Sequence, residues 1–449
     1  MDVDSAGWPD DFGRALRGAL ADAERVKTLS LFAGGGGLDL GFHDAGFEIV
    51  EAVELEEKYT ATLERNSGAG RQLEGTVVRC LDVRKYKPPA GLEVDFIIGG
   101  PPCQTFSAAG RRASGVWGTD DERGTLFEEY VRLLQDLQPA GFLFENVYGI
   151  LGADGGKAWE QIRAAFEEIG YRLSWRILDS ADYGVPQHRE RLFIVGAREV
   201  DYRFPRPSHG PDSAGEAPFY AGGVAVDGVA DGDGGEAPPS VNGRYGHLLE
   251  EIPPGLNYSY FTDVMGHPEP VFAWRSKFSD FLYKADPERP VRTIKAQGGQ
   301  YTGPFHWDGR PFSVAELKRL QTFPDDYELT GGRAVAIEQI GNSVPPQLAR
   351  VLALAVREEV FSLPTPVRLE YLEPDEPLRF RQRKRALTAH YRSVASKAIA
   401  SRVERTKPEW ASYPRRRVLS EAFGWVEGDG AEGSAFEVHV RGGGSRLEV

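Results

Sequence analysis

The chain has 449 residues, 41% hydrophobic and 27% charged, which is enough to build a core in two or three domains. Two cysteines and the lack of a long apolar run exclude a disulfide framework, a cysteine zinc site and a membrane-spanning protein. The first residues show no charged-then-apolar leader, so we expect a cytoplasmic protein. A net charge of −14 by itself disfavours a polyanionic partner, yet thirteen Lys/Arg and two Glu fall between Arg379 and Arg417.

Apolar residues at helical spacing predict a short amphipathic helix before residue 28. Short apolar runs then alternate with helical patterns, an order typical of parallel strands joined by right-handed crossovers. This alternation predicts an α/β fold with a doubly wound, Rossmann-like sheet. The predicted strands are Thr28–Phe32, Ile49–Val53, Thr76–Val78, Val94–Ile98, Phe142–Phe144, Leu173–Leu178 and Leu192–Val195, and the clearest helices between them are Leu126–Leu137 and Trp159–Ile169.

The pattern changes after Gly196. An acidic, glycine-rich linker and an aromatic-dense segment without a clean period predict a small irregular or β-rich domain. Helical patterns return at Val314–Leu320 and Pro346–Phe361, with Ser343 as a candidate cap of the second helix. The predicted divisions are an N-terminal helix at 1–27, a first domain at 28–196, a second domain at 197–290 with its linker at 209–246, a return to the first domain at 291–361, and a basic C-terminal extension at 362–449.

Ligands of an open parallel sheet bind beyond the carboxyl ends of its strands, so the residues that follow each strand are candidate binding residues. A glycine run, Ala33–Gly37, follows the first strand and lets backbone amides approach a ligand closely. Glu54 follows the second strand and Asp82 the third, where carboxylates can accept hydrogen bonds from a ribose or an adenine amine. Each acid alone is equally well explained as a solvated loop residue. Three successive strand ends of this kind predict an adenosine cofactor.

Three further segments offer groups for catalysis. A loop stiffened by two prolines presents Cys103 at the same rim, where a nucleophile belongs, whereas Cys80 is better explained as inert. Glu145 emerges directly from an apolar strand, and partial desolvation is expected to raise the pKa of its carboxyl and suit it to donate a proton. Arg189 and Arg191 lie on one side of an extended segment, with surface ion pairing as the alternative explanation.

Taken in order, these motifs resemble the C5 cytosine DNA methyltransferase family over residues 28 to about 361. Each motif alone is weak, but the whole series in order is specific. The motifs are Phe32–Gly37, Glu54, Asp82, Pro101-Pro102-Cys103, Glu145-Asn146-Val147, Gln187-x-Arg189-x-Arg191, Arg289–Gln297, Leu320–Pro324 and Gly341–Pro345. The resemblance implies S-adenosylmethionine as cofactor and no metal. The residues expected to bind the cofactor are Phe32, Gly34, Gly36, Gly37, Glu54, Asp82, Pro101, Asn342 and Ser343.

The resemblance also implies covalent catalysis on a cytosine flipped out of the duplex. Cys103 is expected to add at C6 of the base, because C5 is a poor nucleophile until this addition. Glu145 is expected to hold and protonate N3, and Arg191, supported by Arg189, to engage O2. Loss of the C5 proton and elimination of the thiol then free the enzyme. The residues expected to contact the DNA are Gln104, Ser107, Asn146, Gln187, Arg275 and Lys277.

Double-stranded DNA is therefore the expected partner, in a prokaryotic, DNA-associated protein. The family places its target recognition region between the arginine motif and Arg289–Gln297; there the acidic linker is an improbable DNA reader, and the aromatic segment 247–290 is the better one. The basic extension is expected either to contact phosphates or to dock a partner protein. A restriction nuclease or another defence-system protein is a candidate partner, and a monomer is expected.

Three alternatives remain open. A tRNA cytosine methyltransferase of the same fold would share these motifs, although the long variable region favours a reader of duplex DNA. A catalytically inactive DNA-binding relative would not need Cys103, Glu145 and the arginine pair, all of which are present. A nicotinamide-dependent dehydrogenase is disfavoured because the glycine fingerprint of this chain is incomplete, with Asp39 at its last position.

Overall fold

The computed structural model describes residues 9–102, 125–215, 217–229, 240–275, 278–403, 423–424 and 439–440. The chain divides into two compact units. Among the described residues, no helix is both long and apolar enough to cross a membrane. The first unit consists of Met1–Ala237, Pro287–Gln297 and Ser313–Arg379, and the second of Pro238–Asp286, Gly298–Phe312 and Phe380–Val449.

The first unit is built on a seven-stranded sheet. Its strands are β1 (Val26–Leu31), β2 (Phe47–Glu54), β3 (Val77–Cys80), β4 (Phe96–Gly99), β5 (Gly141–Asn146), β6 (Arg172–Asp179) and β8 (Glu190–Ala197), and β7 (Gln187–His188) pairs separately with β9 (Val291–Arg292). The strand order is β3-β2-β1-β4-β5-β8-β6. The α/β prediction with a doubly wound sheet is therefore confirmed.

One strand departs from the predicted parallel arrangement. β1 to β5 are parallel, but β8 runs antiparallel to both of its neighbours, β5 and β6. The all-parallel prediction is wrong for β8, because its connection to β6, Ser180–Arg189, is shorter than the dozen or more residues that a parallel crossover needs. The reversal brings the amino end of β8 to the edge of the sheet where β5 ends.

Helices of the first unit pack on the sheet through two separate apolar cores. Successive strand residues point into opposite cores: Phe96 and Ile98 belong to one and Ile97 to the other. The helices are α1 (Pro9–Ala19), α2 (Gly37–Asp44), α3 (Glu57–Asn66), α4 (Thr125–Leu137), α5 (Lys157–Glu168), α6 (Gly222–Val226), α8 (Val314–Leu320), α9 (Arg333–Asn342) and α10 (Pro346–Glu359), and the second unit contains α7 (Leu248–Glu251) and α11 (Phe380–Val403).

Two local expectations differ from the structure. Ser343 does not cap α10, whose N-cap is Pro345; Ser343 instead follows the last residue of α9, and its hydroxyl donates to the carbonyl of Gln339 at 2.7 Å. The predicted linker is partly packed, because α6 lies within it and Ala225 and Val226 are buried. Short apolar stretches inside an acidic segment were enough to fold it onto the first unit.

The second unit has its own aromatic core. Tyr258, Tyr260, Phe261 and Phe272 are buried in it, so most rings of the aromatic segment are structural. The helix α11 contributes Ala395, which is fully buried in the same core. Part of the segment that the sequence suggested as an extension is thus built into this unit. A short antiparallel pair, β10 (Phe423–Gly424) with β11 (His439–Val440), lies further along the chain.

Candidate active site

The predicted site residues converge on one edge of the sheet in the first unit. β3, β2, β1, β4 and β5 are parallel neighbours, so their carboxyl ends lie side by side. Glu54 and Glu145 lie in the last two residues of their strands, and three other predicted residues follow their strands by one or two positions: Phe32, Asp82 and Pro101. This edge therefore carries both the predicted cofactor groups and the predicted acid.

The glycine turn after β1 is shaped by close packing. Phe32, Gly34 and Gly36 all have positive φ angles, of 55°, 57° and 80°. A Cβ on Gly36 would lie 2.3 Å from the Tyr327 hydroxyl, and one on Gly37 would lie 2.3 Å from the carbonyl oxygen of Val344. Glycine is therefore required at both positions. At Gly36 both the backbone conformation and the lack of space exclude a side chain, and at Gly37 the lack of space does.

Glu54 is held beneath this turn by the backbone. One carboxylate oxygen accepts from the Gly34 amide at 2.8 Å, and the other accepts from the amides of Leu55 and Glu56 at 2.8 and 2.9 Å. Burial raises the pKa of Glu54, while these three hydrogen bonds oppose the increase. The carboxylate is fixed in position and retains further acceptor capacity for a ligand.

The other predicted cofactor residues differ in how available they are. Asp82 accepts hydrogen bonds from the Arg84 backbone and guanidinium, and this partner lowers the pKa of its carboxyl. Asn342 is exposed just beyond the edge, and its amide lies 3.5 Å from the Tyr59 hydroxyl. Ser343 is buried, with its hydroxyl directed to α9. Asp82 can therefore receive a further donor only by sharing its oxygens with Arg84.

Glu145 and Arg191 form an ion pair between neighbouring strands. Glu145 lies opposite Phe193 in the β5–β8 ladder, two residues from Arg191, so both side chains share one face of the sheet. Arg191 Nε is 3.0 Å from Glu145 Oε1, and both side chains are largely buried. Burial raises the pKa of Glu145, and the charges of Arg191 and Arg189 oppose that increase.

Arg189 is buried more deeply than its neighbour. Its guanidinium donates to the carbonyls of Gly341 at 2.9 Å and Asn342 at 3.3 Å, the last two residues of α9. Burial lowers the pKa of Arg189 to about 9, helped by the charge of Arg191 and opposed by that of Glu145. Its Nε has no hydrogen-bond partner among the described residues. Arg189 therefore ties the arginine segment to the end of a helix.

Two predicted substrate residues have their amides engaged within the protein. Asn146 donates to the Pro101 carbonyl at 3.1 Å and accepts from the Val147 amide at 2.8 Å. Gln187 is fully buried; it donates to Gln321 and accepts from the Ile294 amide at 2.8 Å. The Gln187 side chain is consequently not accessible to a substrate in this conformation.

The remaining predicted residues lie elsewhere. Cys103, Gln104, Ser107 and Lys277 fall outside the described residues. Arg275 belongs to the second unit, where the Tyr258 hydroxyl donates to its carbonyl at 2.6 Å and accepts from its amide at 2.8 Å. The backbone at Arg275 is therefore anchored to the aromatic core of that unit.

Three residues that sequence reasoning overlooked organise this site. Asp179 accepts from the Arg189 amide at 3.0 Å and contacts His188 Nδ1 at 2.8 Å. It ends β6, so the rule that selected Glu54 could have found it. Gln321 donates to the Ser343 carbonyl at 2.6 Å and lies in a motif already noted. A Cβ on Gly100 would lie 2.7 Å from Glu145 Oε2, a proximity that no sequence pattern indicates.

Comparisons with known proteins agree with this arrangement. The family model for C-5 cytosine-specific DNA methylase matches residues 26–358. The chain is 34% identical over 370 residues to the type II methyltransferase M.SacI of Streptomyces achromogenes, covering 75% of this chain and 93% of the relative. It is 35% identical over 344 residues to the type II methyltransferase M.NgoFVII of Neisseria gonorrhoeae, covering 75% and 87%.

A solved structure shares the fold. A DNA modification methyltransferase encoded within an E. coli prophage aligns with a TM-score of 0.53 at 23% identity, covering 75% of this chain and 99% of its own. The family model and the two relatives define the class as that of the DNA methyltransferases. The chain belongs to the C-5 cytosine-specific DNA methylase family, and it is a DNA cytosine-5 methyltransferase. The resemblance seen in the sequence is confirmed, and neither a dehydrogenase nor an RNA-directed enzyme is favoured.

Proposed function

We propose that this enzyme transfers a methyl group from S-adenosylmethionine to C5 of a cytosine flipped out of duplex DNA at a specific sequence. The observation that supports it most directly is the buried Glu145–Arg191 pair, at 3.0 Å, on the carboxyl edge of the sheet. A carboxyl with a raised pKa can donate a proton, and the guanidinium beside it can donate a hydrogen bond. The ring N3 and O2 of cytosine are both acceptors and match that combination of groups.

The donor set along the edge fits an adenosine cofactor. Successive parallel strand ends offer a fixed carboxylate at Glu54, a second carboxylate at Asp82 and the backbone of the glycine turn. Phe32 supplies a half-buried ring, and Asn342 an exposed amide at the far side. These groups match the ribose, the adenine and the amino-acid portion of S-adenosylmethionine. The bound cofactor supplies an electrophilic methyl group.

The chemistry on the base then follows from the protein groups. The Cys103 thiolate adds to C6, and Glu145 delivers a proton to N3, so the ring gains no net negative charge. C5 becomes nucleophilic and takes the methyl group, which would leave S-adenosylhomocysteine behind. Solvent water accepts the C5 proton as the Cys103 thiolate is expelled, and the aromatic ring is restored. Glu145 regains its proton from N3, which completes the proton balance at that position.

The two arginines have different roles in this proposal. Arg191 shares a face with Glu145 and is partly accessible, so it engages O2 of the base. Arg189 is inaccessible and donates to the carboxyl end of α9, so it acts as a positioning residue. Asn342, whose carbonyl receives one of these bonds, lies on the proposed cofactor side. Arg189 thereby connects the positions of the base-binding and cofactor-binding segments.

The second unit is the proposed DNA reader. Trp274 is 53% exposed and Phe278 is 47% exposed, in contrast to the buried rings around them. They flank Arg275, whose backbone is held by Tyr258. Exposed aromatic side chains beside a basic residue on an anchored backbone suit contact with nucleic acid bases and phosphates. Lys277 is also a proposed DNA contact, although it lies outside the described residues.

Methylation mapping tests the proposal. Duplex DNA is incubated with the enzyme and S-adenosylmethionine, and 5-methylcytosine is mapped at base resolution. We expect one recurrent sequence context, no product with Cys103→Ser, and retained activity with Cys80→Ser as the matched control. Methyl transfer to tRNA in preference to duplex DNA, or activity in Cys103→Ser, would contradict it.

The type II relatives suggest a biological setting. M.SacI and M.NgoFVII are both named as type II methyltransferases. We therefore propose that this enzyme, acting as a monomer, protects host DNA from a restriction nuclease of the same specificity. DNA that it has methylated should resist a nuclease that cuts the mapped sequence, and unmethylated DNA should be cleaved.

A further inference from the structure

We propose that α11 of the second unit binds backbone phosphates of the duplex DNA on which the enzyme acts. The choice of DNA as the ligand rests on the proposed function, whereas the basic surface is a feature of the helix itself. The family model ends at residue 358, so α11 lies outside the part of the chain that it matches.

The composition of α11 is strongly one-sided. Its 24 residues contain seven Lys/Arg and no Asp/Glu, in a chain whose net charge is −14. Such a run repels itself in isolation and attracts a polyanion, whose counterions it displaces on binding. The basic residues of the helix are Arg381, Arg383, Lys384, Arg385, Arg392, Lys397 and Arg402.

One side of α11 is fixed to the second unit. Ala395 is fully buried in the aromatic core, and the Tyr391 hydroxyl donates to Asp286 at 3.2 Å. The Tyr391 ring also packs so closely on the backbone of Gly255 that a Cβ there would lie 2.0 Å from it. These contacts hold the middle of the helix against the unit, and with it the backbone from which Arg392 and Lys397 extend.

The opposite side of α11 is exposed and cationic. Arg392 and Lys397 are exposed, and within the described part of the chain neither has an acidic partner. Their exposed neighbours Ser393 and Ser396 are small and polar. A protein-docking surface would be expected to offer a large apolar or aromatic anchor, which this described face does not. The Ser396 hydroxyl donates to the Arg392 carbonyl at 3.0 Å, so Ser393 supplies the hydroxyl that is proposed to donate to a phosphate oxygen.

The contacts proposed for α11 carry no sequence information. Phosphate contacts raise affinity for any duplex alike, whereas base contacts discriminate between sequences. Each phosphate neutralised adds about 0.9 to the slope of log affinity against log salt concentration. Loss of two such contacts should therefore reduce the magnitude of that slope by about 2, and weaken binding equally on target and non-target DNA.

The test compares two double variants of equal charge. Arg392→Gln/Lys397→Gln removes the exposed cations of α11. Arg163→Gln/Arg172→Gln is the matched control on the first unit, because its side chains are 45% and 56% exposed and pair with Glu167 and Asp201. Dissociation constants are measured for a target duplex and an unrelated duplex between 0.05 and about 0.3 M salt, the range over which such slopes are resolved.

We expect only the α11 variant to show a smaller slope of log affinity against log salt concentration. It should bind both duplexes several-fold more weakly at low salt, and its kcat at saturating DNA should be unchanged. Equal slopes in the two variants, or a loss confined to the target duplex, would overturn the proposal. Thermal unfolding of both variants separates lost contacts from misfolding, and Arg381→Gln/Arg385→Gln repeats the test nearer the start of the helix. Failure of the wild type to methylate duplex DNA would instead refute the proposed function.

Discussion

Gly100 offers a sharp test of the geometry around Glu145. In Gly100→Ala the new Cβ would lie 2.7 Å from Glu145 Oε2, whereas ordinary contacts begin at 3.4 Å, so the carboxylate must move by about 0.7 Å. The displaced group is the end of a flexible side chain, so the free energy of unfolding should change by less than about 1 kcal/mol. Catalysis should respond far more strongly, because a misplacement near 1 Å can cost about 100-fold.

We therefore expect Gly100→Ala to lower kcat by about 10- to 100-fold while its melting temperature and its affinity for the cofactor stay close to those of the wild type. Single-turnover methyl transfer to a duplex, with radiolabelled methyl donor, measures the chemical step. Gly152→Ala is the control, because nothing lies within 4 Å of its added Cβ. Equal rates in the two variants would show that the position of Glu145 does not limit the reaction.

Three further predictions follow from the same site and its support. Burial keeps Glu145 protonated to higher pH, so the rate should fall as pH rises through its pKa; Glu145→Gln should abolish that limb and lower kcat by about 10²- to 10⁴-fold in a pH–rate profile. Arg189→Ala should lower the free energy of unfolding by about 3–5 kcal/mol, because buried carbonyls lose their donor. Arg191→Ala should instead lower activity while changing the free energy of unfolding little. Denaturant unfolding and steady-state kinetics of the two variants distinguish these outcomes. Asp44 and Arg350 form an ion pair at 2.7 Å, and both side chains are fully buried. Asp44→Ala should therefore lower the free energy of unfolding by about 3–5 kcal/mol, and a decrease below about 1 kcal/mol would contradict a stabilising buried ion pair.

Much of the first unit was predictable because its strands alternate with helices in a way that only a few topologies satisfy. The direction of β8 was not, since hydrophobic runs carry no information on direction; the length of the connection to β6 does. α9 was missed because RAVAIEQIGN lacks a clear one-sided apolar pattern. The packing of α6 within the acidic stretch depends on tertiary contacts that composition does not report.

The candidate site was predictable where a residue lies at the carboxyl end of a strand, as Glu54 and Glu145 do. The burial of Arg189 was not, because arginine is mostly exposed and its partners, Gly341 and Asn342, lie about 150 residues away in the sequence. The inaccessible Gln187 has a similar origin, since Gln321 and Ile294 are both distant in the chain. Motifs identify which residues matter, but their contacts decide which of them can touch a substrate.

The reversed strand β8 has a consequence for how the enzyme can change. Both of its faces are apolar: Leu192 and Ile194 enter one core, and Phe193 and Val195 enter the other. A slip of one residue would exchange these faces, but it would also bring a side chain opposite Phe142 in place of Gly196, where an added Cβ would lie 2.1 Å from the Phe142 ring. Arg191 fits beside Glu145 in only one alignment. The close packing of Gly196 therefore fixes the same alignment of β8 that places Arg191 beside Glu145.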